Sequence, residues 1–226
     1  MTLLGTGVYS LRQAARLVGA DSAAVRRWLL GYERRGRSYE PLWDPELKNE
    51  YVGEPVIGFR DLLELRLVAA FERHGVSMKV IRATAEAARQ EFGTAYPLTA
   101  KRFLTDGKTI FLEAVRTASD GEAMIDLPRR QLVFGDIVRP SLYAGIEYEG
   151  VRARRWYPLG DKSKLVVLDP AVQFGAPIVS RSGVPTDTLL AVYMAHGRDS
   201  KAVARIYDIS PQEVNAAVRF ENKLAA

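Results

Sequence analysis

In the stretch "DSAAVRRWL" two adjacent arginines, Arg26 and Arg27, follow two small residues, Ser22 and Ala23. A guanidinium grips guanine O6 and N7 in bidentate fashion or binds a phosphate, and small neighbours let a helix come close to a groove. The alternative for the same pair is the solvated face of a helix in a protein-binding domain. A second basic run, "VRARRWYPLG", carries Arg152, Arg154, Arg155 and Trp156. Arginines at alternating strand positions can reach into an acidic, metal-holding site while an indole anchors the interface. The alternative there is an edge strand with a solvated basic face.

For catalysis the chain offers little. It has no cysteine, which excludes disulfides, thiolate zinc and a cysteine nucleophile, and its two histidines, His74 and His196, stand far apart without ligand spacing. P-loop, nucleophile elbow, His-Glu-x-x-His and dinucleotide fingerprint are all missing. The carboxylates Asp106, Glu113, Asp126 and Asp136 have no spacing that requires them to converge. The expectation is a binding protein and not an enzyme, with no cofactor and no metal.

The elements that would position the arginines are legible around them. Ser10 is placed to cap a helix over 11–18 that Gly19 ends, and Asp21 or Ser22 to cap a second over 23–30. Leu11, Ala14, Ala15 and Val18 share one face of the first, and Val25, Trp28 and Leu29 one face of the second. The two faces pack together and leave Arg26 and Arg27 outside. Residues 31–58 break into Gly, Pro, Tyr and charge, a loop with short strands such as a hairpin wing. Two helices divided at Gly75 and Ser77 follow, and Gly93 and Pro97 end them.

Further on, "KRFLTDGKTIFLEAV" alternates apolar and polar residues around Asp106-Gly107 and predicts a hairpin. "RRQLVFGDIV", "SLYAGIEYEG" and "VRARRWYPLG" extend it into a small antiparallel β region. Helical period returns over 186–195, 200–207 and 211–224, with Pro211 suited to a first helical position. The fold class is therefore α+β, divided at 1–93, 94–164 and 165–226.

Charge is distributed unevenly along the 226 residues. The whole chain carries a formal +5, but residues 1–40 hold seven arginines against three acids, whereas 165–226 holds six of each sign. The basic excess sits at the amino end, where an anionic partner would bind. No run of eighteen apolar residues and no basic-apolar-small leader pattern is present, so the expectation is a cytoplasmic protein with no membrane partner.

"YSLRQAARLVGADSAAVRRWL" followed by "IGFRDLLELRLVAAFERHGVSMKVIR" resembles the winged helix-turn-helix of the MerR family over residues 9–91. The resemblance implies that the second helix enters the major groove, with contacts from Ser22, Ala23, Arg26 and Arg27. Arg12 and the wing arginines Arg34, Arg35 and Arg37 join that DNA-binding set. The family's long dimerisation helix is missing, since the helix ends near Gly93, and so is its metal- or drug-binding segment. A homodimer or higher homo-oligomer would then form through another surface.

Asp169-Pro170, Gly175-Ala176-Pro177-Ile178-Val179 and Gly183-Val184-Pro185-Thr186, with the closing helix-turn-helix, are similar to domain-of-unknown-function family 433 over residues 165–223. This chain departs from it at Arg181-Ser182-Gly183, where many members have Gly-Thr-Arg. Proteins joining the two halves resemble VapB-type antitoxins. That resemblance implies operator DNA and a PIN-domain ribonuclease toxin as partners, autorepression, and toxin binding by the region that holds Arg152, Arg154, Arg155 and Trp156. The alternative is a stand-alone MerR-like regulator whose carboxy-terminal domain mediates self-association.

Overall fold

The computed structural model of the chain describes residues 5–47, 53–118, 145–160 and 163–225. Among these are eight α-helices and eight short strands, an α+β architecture with antiparallel pairings. The described residues separate into two compact units. The larger draws on residues between 9 and 118 with Glu149–Ala153, and the smaller on 5–8, Gly145–Tyr148 and those between 154 and 225.

In the larger unit, β1 (Tyr9–Ser10) leads directly into α1 (Leu11–Val18). Ser10 Oγ accepts the Gln13 N–H and Gln13 Oε1 accepts the Ser10 N–H at 2.9 Å, a reciprocal cap that satisfies otherwise orphaned donors. Gly19 ends the helix in the left-handed region, φ +66°. Asp21 then caps α2 (Ser22–Leu30) through the Ala24 N–H at 2.9 Å. Caps of this kind contribute about 1 kcal/mol each. Leu11, Ala14, Ala15 and Val18 on α1 are buried, as are Ala24, Val25, Trp28 and Leu29 on α2, so the expected faces do meet the core.

The expected hairpin follows as β2 (Tyr32–Arg34) and β3 (Arg37–Tyr39), antiparallel, with Arg34 opposite Arg37. Its two-residue turn, Arg35-Gly36, has positive φ at both positions, as the right-handed twist of the strands demands. β4 (Val56–Ile57) pairs with β1. The chain then enters α3 (Phe59–Arg73), buried on nearly every side, which α1 and α4 (Met78–Phe92) pack against. Ser77 caps α4 and Gly93, at φ +62°, closes it.

The hairpin expected at Asp106-Gly107 is a helix instead, α5 (Phe103–Ala118), packed on α4. Phe103, Gly107, Phe111, Ala114 and Val115 recur at helical spacing and are buried, a period that outweighs the local turn signal. Gly107 has a packing role here: a Cβ at this position would lie 2.8 Å from ring carbons of Phe103. The strand expected over "RRQLVFGDIV" and the first four residues of "SLYAGIEYEG" lie outside the described residues.

A four-stranded sheet runs in the order β5 (Ile146–Glu149), β6 (Arg152–Trp156), β7 (Val166–Leu168), β8 (Pro177–Val179). Trp156 stands opposite Leu168, and Val167 opposite Ile178. The smaller unit adds α6 (Thr186–Ala195), α7 (Ser200–Tyr207) and α8 (Pro211–Ala225), at the positions the sequence predicts. Val179, Leu189, Val203, Val214 and Ala217 form their common core. Asp199 caps α7, and Ser210 with Glu213 makes a second reciprocal cap at the start of α8. The backbone N–H groups of Ala202 and Lys201 hold the Asp199 carboxyl below its ordinary pKa.

Candidate nucleic-acid interface

Burying four residues of α2 forces the rest of that helix outward. Ser22, Ala23, Arg26 and Arg27 are all exposed, and so is Arg12 on α1. Arg12, Ser22 and Arg26 line one shallow depression of about 160 Å³ with Leu11, Pro55 and Glu54. Glu54 is an acidic neighbour that nothing in the sequence ties to this helix pair. Arg34, Arg35 and Arg37 are exposed on the hairpin that leaves the end of α2. Among the described residues none of these six arginines forms an ion pair.

The hairpin is fixed to α2 by its backbone. Gly31 donates to Arg27 C=O at 3.1 Å and Leu42 to Trp28 C=O at 2.8 Å, so the two strands leave from and return to the same helix. Gly31 sits at φ +73°, and a Cβ there would lie 2.5 Å from the Tyr39 carbonyl oxygen, which restricts the position to glycine. Across the strands Tyr32 and Tyr39 stack with ring centroids 4.6 Å apart.

Behind this face lie buried acids that the charge pattern did not mark. Asp61, on α3, accepts from Trp43 Nε1 at 2.7 Å, Glu46 N–H at 3.0 Å and Gly58 N–H at 2.9 Å. One side chain thus holds Trp43, Glu46 and Gly58 together. Burial raises its pKa although these donors pull the other way. One turn on, fully buried Glu64 accepts from Thr99 N–H and Oγ1 at 2.8 and 2.7 Å, and from Leu98 N–H at 3.3 Å. Desolvation outweighs these hydrogen bonds and pushes its carboxyl up to about 7. The available signal was the pair of acids set among apolar residues in "DLLELRLV", where a helix with no polar face must bury them.

The second basic run divides. Arg152 and Arg154 are exposed and, two residues apart on β6, leave the strand on the same face. Arg155 and Trp156 are engaged within the fold. Arg155 Nε donates to the buried Asp169 at 2.5 Å, and Asp169 also accepts the Ala171 N–H. Trp156 is only 4% exposed and belongs to the core. Both serve the local fold, because β6 pairs with β7 just before Asp169. On the last helix pair the leading exposed positions of α8 are Pro211, Gln212 and Asn215, all neutral, in contrast to α2. Asp106 and Glu113 lie on α5, while Asp126 and Asp136 fall outside the described residues. Among the described residues no three of His, Asp and Glu gather as a metal site, and no helix is long and apolar enough to cross a membrane.

This is a chain with a cationic helix-and-hairpin face on one unit and, later in sequence, a charge-balanced stretch over residues 165–226. No protein-family model matches the chain. Two proteins of Mycobacterium tuberculosis are similar to it along most of their length. One is named "Putative antitoxin VapB45" and is 27% identical, with 93% of this chain and 92% of that protein covered. The other is named "Uncharacterized protein Rv2308" and is 23% identical, with 98% and 93% covered. The crystal structure of Rv2018 from the same organism has the same fold, with a TM-score of 0.65 at 20% identity over 93% of this chain and 96% of that one.

Proposed function

We propose that the chain is a DNA-binding antitoxin that represses its own operator and neutralises a PIN-domain ribonuclease. In this reading residues 9–91 are a MerR-like winged helix-turn-helix. α2 enters the major groove, Arg26 and Arg27 contact bases, Ser22 and Ala23 allow close approach, and Arg12 with hairpin arginines Arg34, Arg35 and Arg37 binds the phosphate backbone. The observation that carries it is the set of six exposed arginines with no carboxylate partner among the described residues, on elements whose other faces are core. A cationic face of that density is the electrostatic footprint of a polyanion.

The antitoxin half of the reading is supported by the relative named "Putative antitoxin VapB45", similar over 93% of this chain. Toxin contact is assigned to the basic run on β6, where Arg152 and Arg154 are exposed while Arg155 pairs with Asp169 and Trp156 is buried. A cation reaching carboxylates that would otherwise hold the nuclease's metal competes with that metal, and the pair strengthens as water leaves. The chain itself is assigned no reaction and no cofactor. It works without a membrane, in the cytoplasm, as a homodimer or larger homo-oligomer.

The test is co-expression with a PIN-domain ribonuclease, taken from the adjacent reading frame if that frame encodes one. Growth is expected with the wild-type chain and to be lost with R152A/R154A, while the double variant still shifts DNA from its own promoter. Failure of the wild-type chain to restore growth, or to bind the nuclease on co-purification, overturns the antitoxin assignment.

A further inference from the structure

A cavity of about 340 Å³ in the larger unit has no part in the DNA-facing surface. Its walls are apolar and aromatic, with Leu63, Phe92, Tyr96 and Val151 among them, and its cations are Arg60, Lys101, Arg102 and Arg152. Two of the cations stand over aromatic walls: the Arg60 guanidinium is 3.9 Å from the Tyr96 ring centre and that of Arg102 4.9 Å from Phe92. Such stacking presents each guanidinium edge to an incoming carboxylate or phosphate.

Facing acids only partly offset this charge. Glu91 and Asp106 meet Arg102 alone, at 3.7 and 3.4 Å across exposed side chains. Glu46 acts on Arg60 and on Arg152 through space, and burial raises its pKa. The volume lies in the range of small-molecule sites, which combine apolar walls with a few convergent polar groups.

We propose that this cavity binds a small organic anion, an apolar or aromatic body bearing one carboxylate or phosphate. The body lies against Leu63, Tyr96 and Phe92, and the charge is met by Lys101 and Arg152 with Arg60 behind them.

The test is calorimetric titration of the full-length chain with benzoate, its neutral counterpart benzyl alcohol, and inorganic phosphate, in the absence of DNA. Benzoate is expected to bind saturably, at least about tenfold tighter than either of the others. K101S/R152S, two exposed substitutions that leave the core untouched, is expected to lose about tenfold for benzoate and nothing for benzyl alcohol. V151D at the rim should weaken benzoate in the same way. Equal binding of benzoate and benzyl alcohol, phosphate binding as tightly as benzoate, or an unchanged affinity in K101S/R152S overturns the proposal. The titration contains neither DNA nor toxin, so this inference fails separately from the proposed function, although Arg152 is assigned to both surfaces.

Discussion

Glu64 is the residue whose ionisation couples most directly to the fold. Its carboxyl is fully buried, and desolvation lifts its pKa from 4.5 to about 7. The folded chain therefore holds that proton more tightly than the unfolded one. The stabilisation is complete below about pH 4.5 and is lost as the pH rises through 7, on the order of 3 kcal/mol in all. Glu64→Gln, which keeps an acceptor for Thr99 but cannot ionise, should flatten the decline of Tm between pH 5 and 8. A variant whose Tm falls as steeply as that of the wild type would show that another group is responsible. Arg155 gives a second expectation at this scale. Removing it leaves the buried Asp169 without its cation, so Arg155→Ala should lose about 2 kcal/mol in denaturant unfolding, less than a fully interior pair because the arginine is itself partly solvated. Arg154→Ala, on an exposed position of the same strand, should stay within about 0.5 kcal/mol of wild type.

Elements whose signals are local were legible in the sequence. Ser10, Asp21, Gly19, Gly93 and Pro211 mark helix ends through side-chain caps, left-handed stops or a missing N–H, each decided within a few residues. The outward placement of Arg26 and Arg27 was legible for the same reason, as the complement of a buried stripe. What escaped was decided at a distance. The Arg155 partner lies 14 residues on across a strand pairing, Trp156 is buried, and α5 owes its state to packing on α4. Gly107 tests that last account. Alanine favours a helix over glycine by about 1 kcal/mol, whereas forcing a Cβ against the buried Phe103 ring costs about 1 to 3 kcal/mol. Gly107→Ala should therefore lower Tm, and a rise would mean that the ring relaxes freely.

Over the whole molecule, charge separates two kinds of surface. The larger unit presents Arg12, Arg26, Arg27, Arg34, Arg35 and Arg37 to solvent, and α8 of the smaller unit leads with neutral residues. Duplex binding that depends on phosphate neutralisation falls with salt, with a slope of about −0.9 per phosphate contacted. Replacing Arg34, Arg35 and Arg37 together by alanine should make that slope shallower by up to about 3 while leaving sequence preference in place, because backbone contacts position without specifying. Loss of preference along with the slope would assign base readout to the hairpin. The central claim, that α2 reads DNA, is tested most directly by one measurement. Full-length wild type and R26A/R27A are titrated by gel shift onto DNA upstream of the coding sequence, with unrelated DNA as competitor. Both arginines are exposed, so the double variant should melt like the wild type yet lose about 1 to 3 kcal/mol of discrimination for each base contact removed. A folded R26A/R27A that keeps the full preference for its upstream DNA would contradict the account.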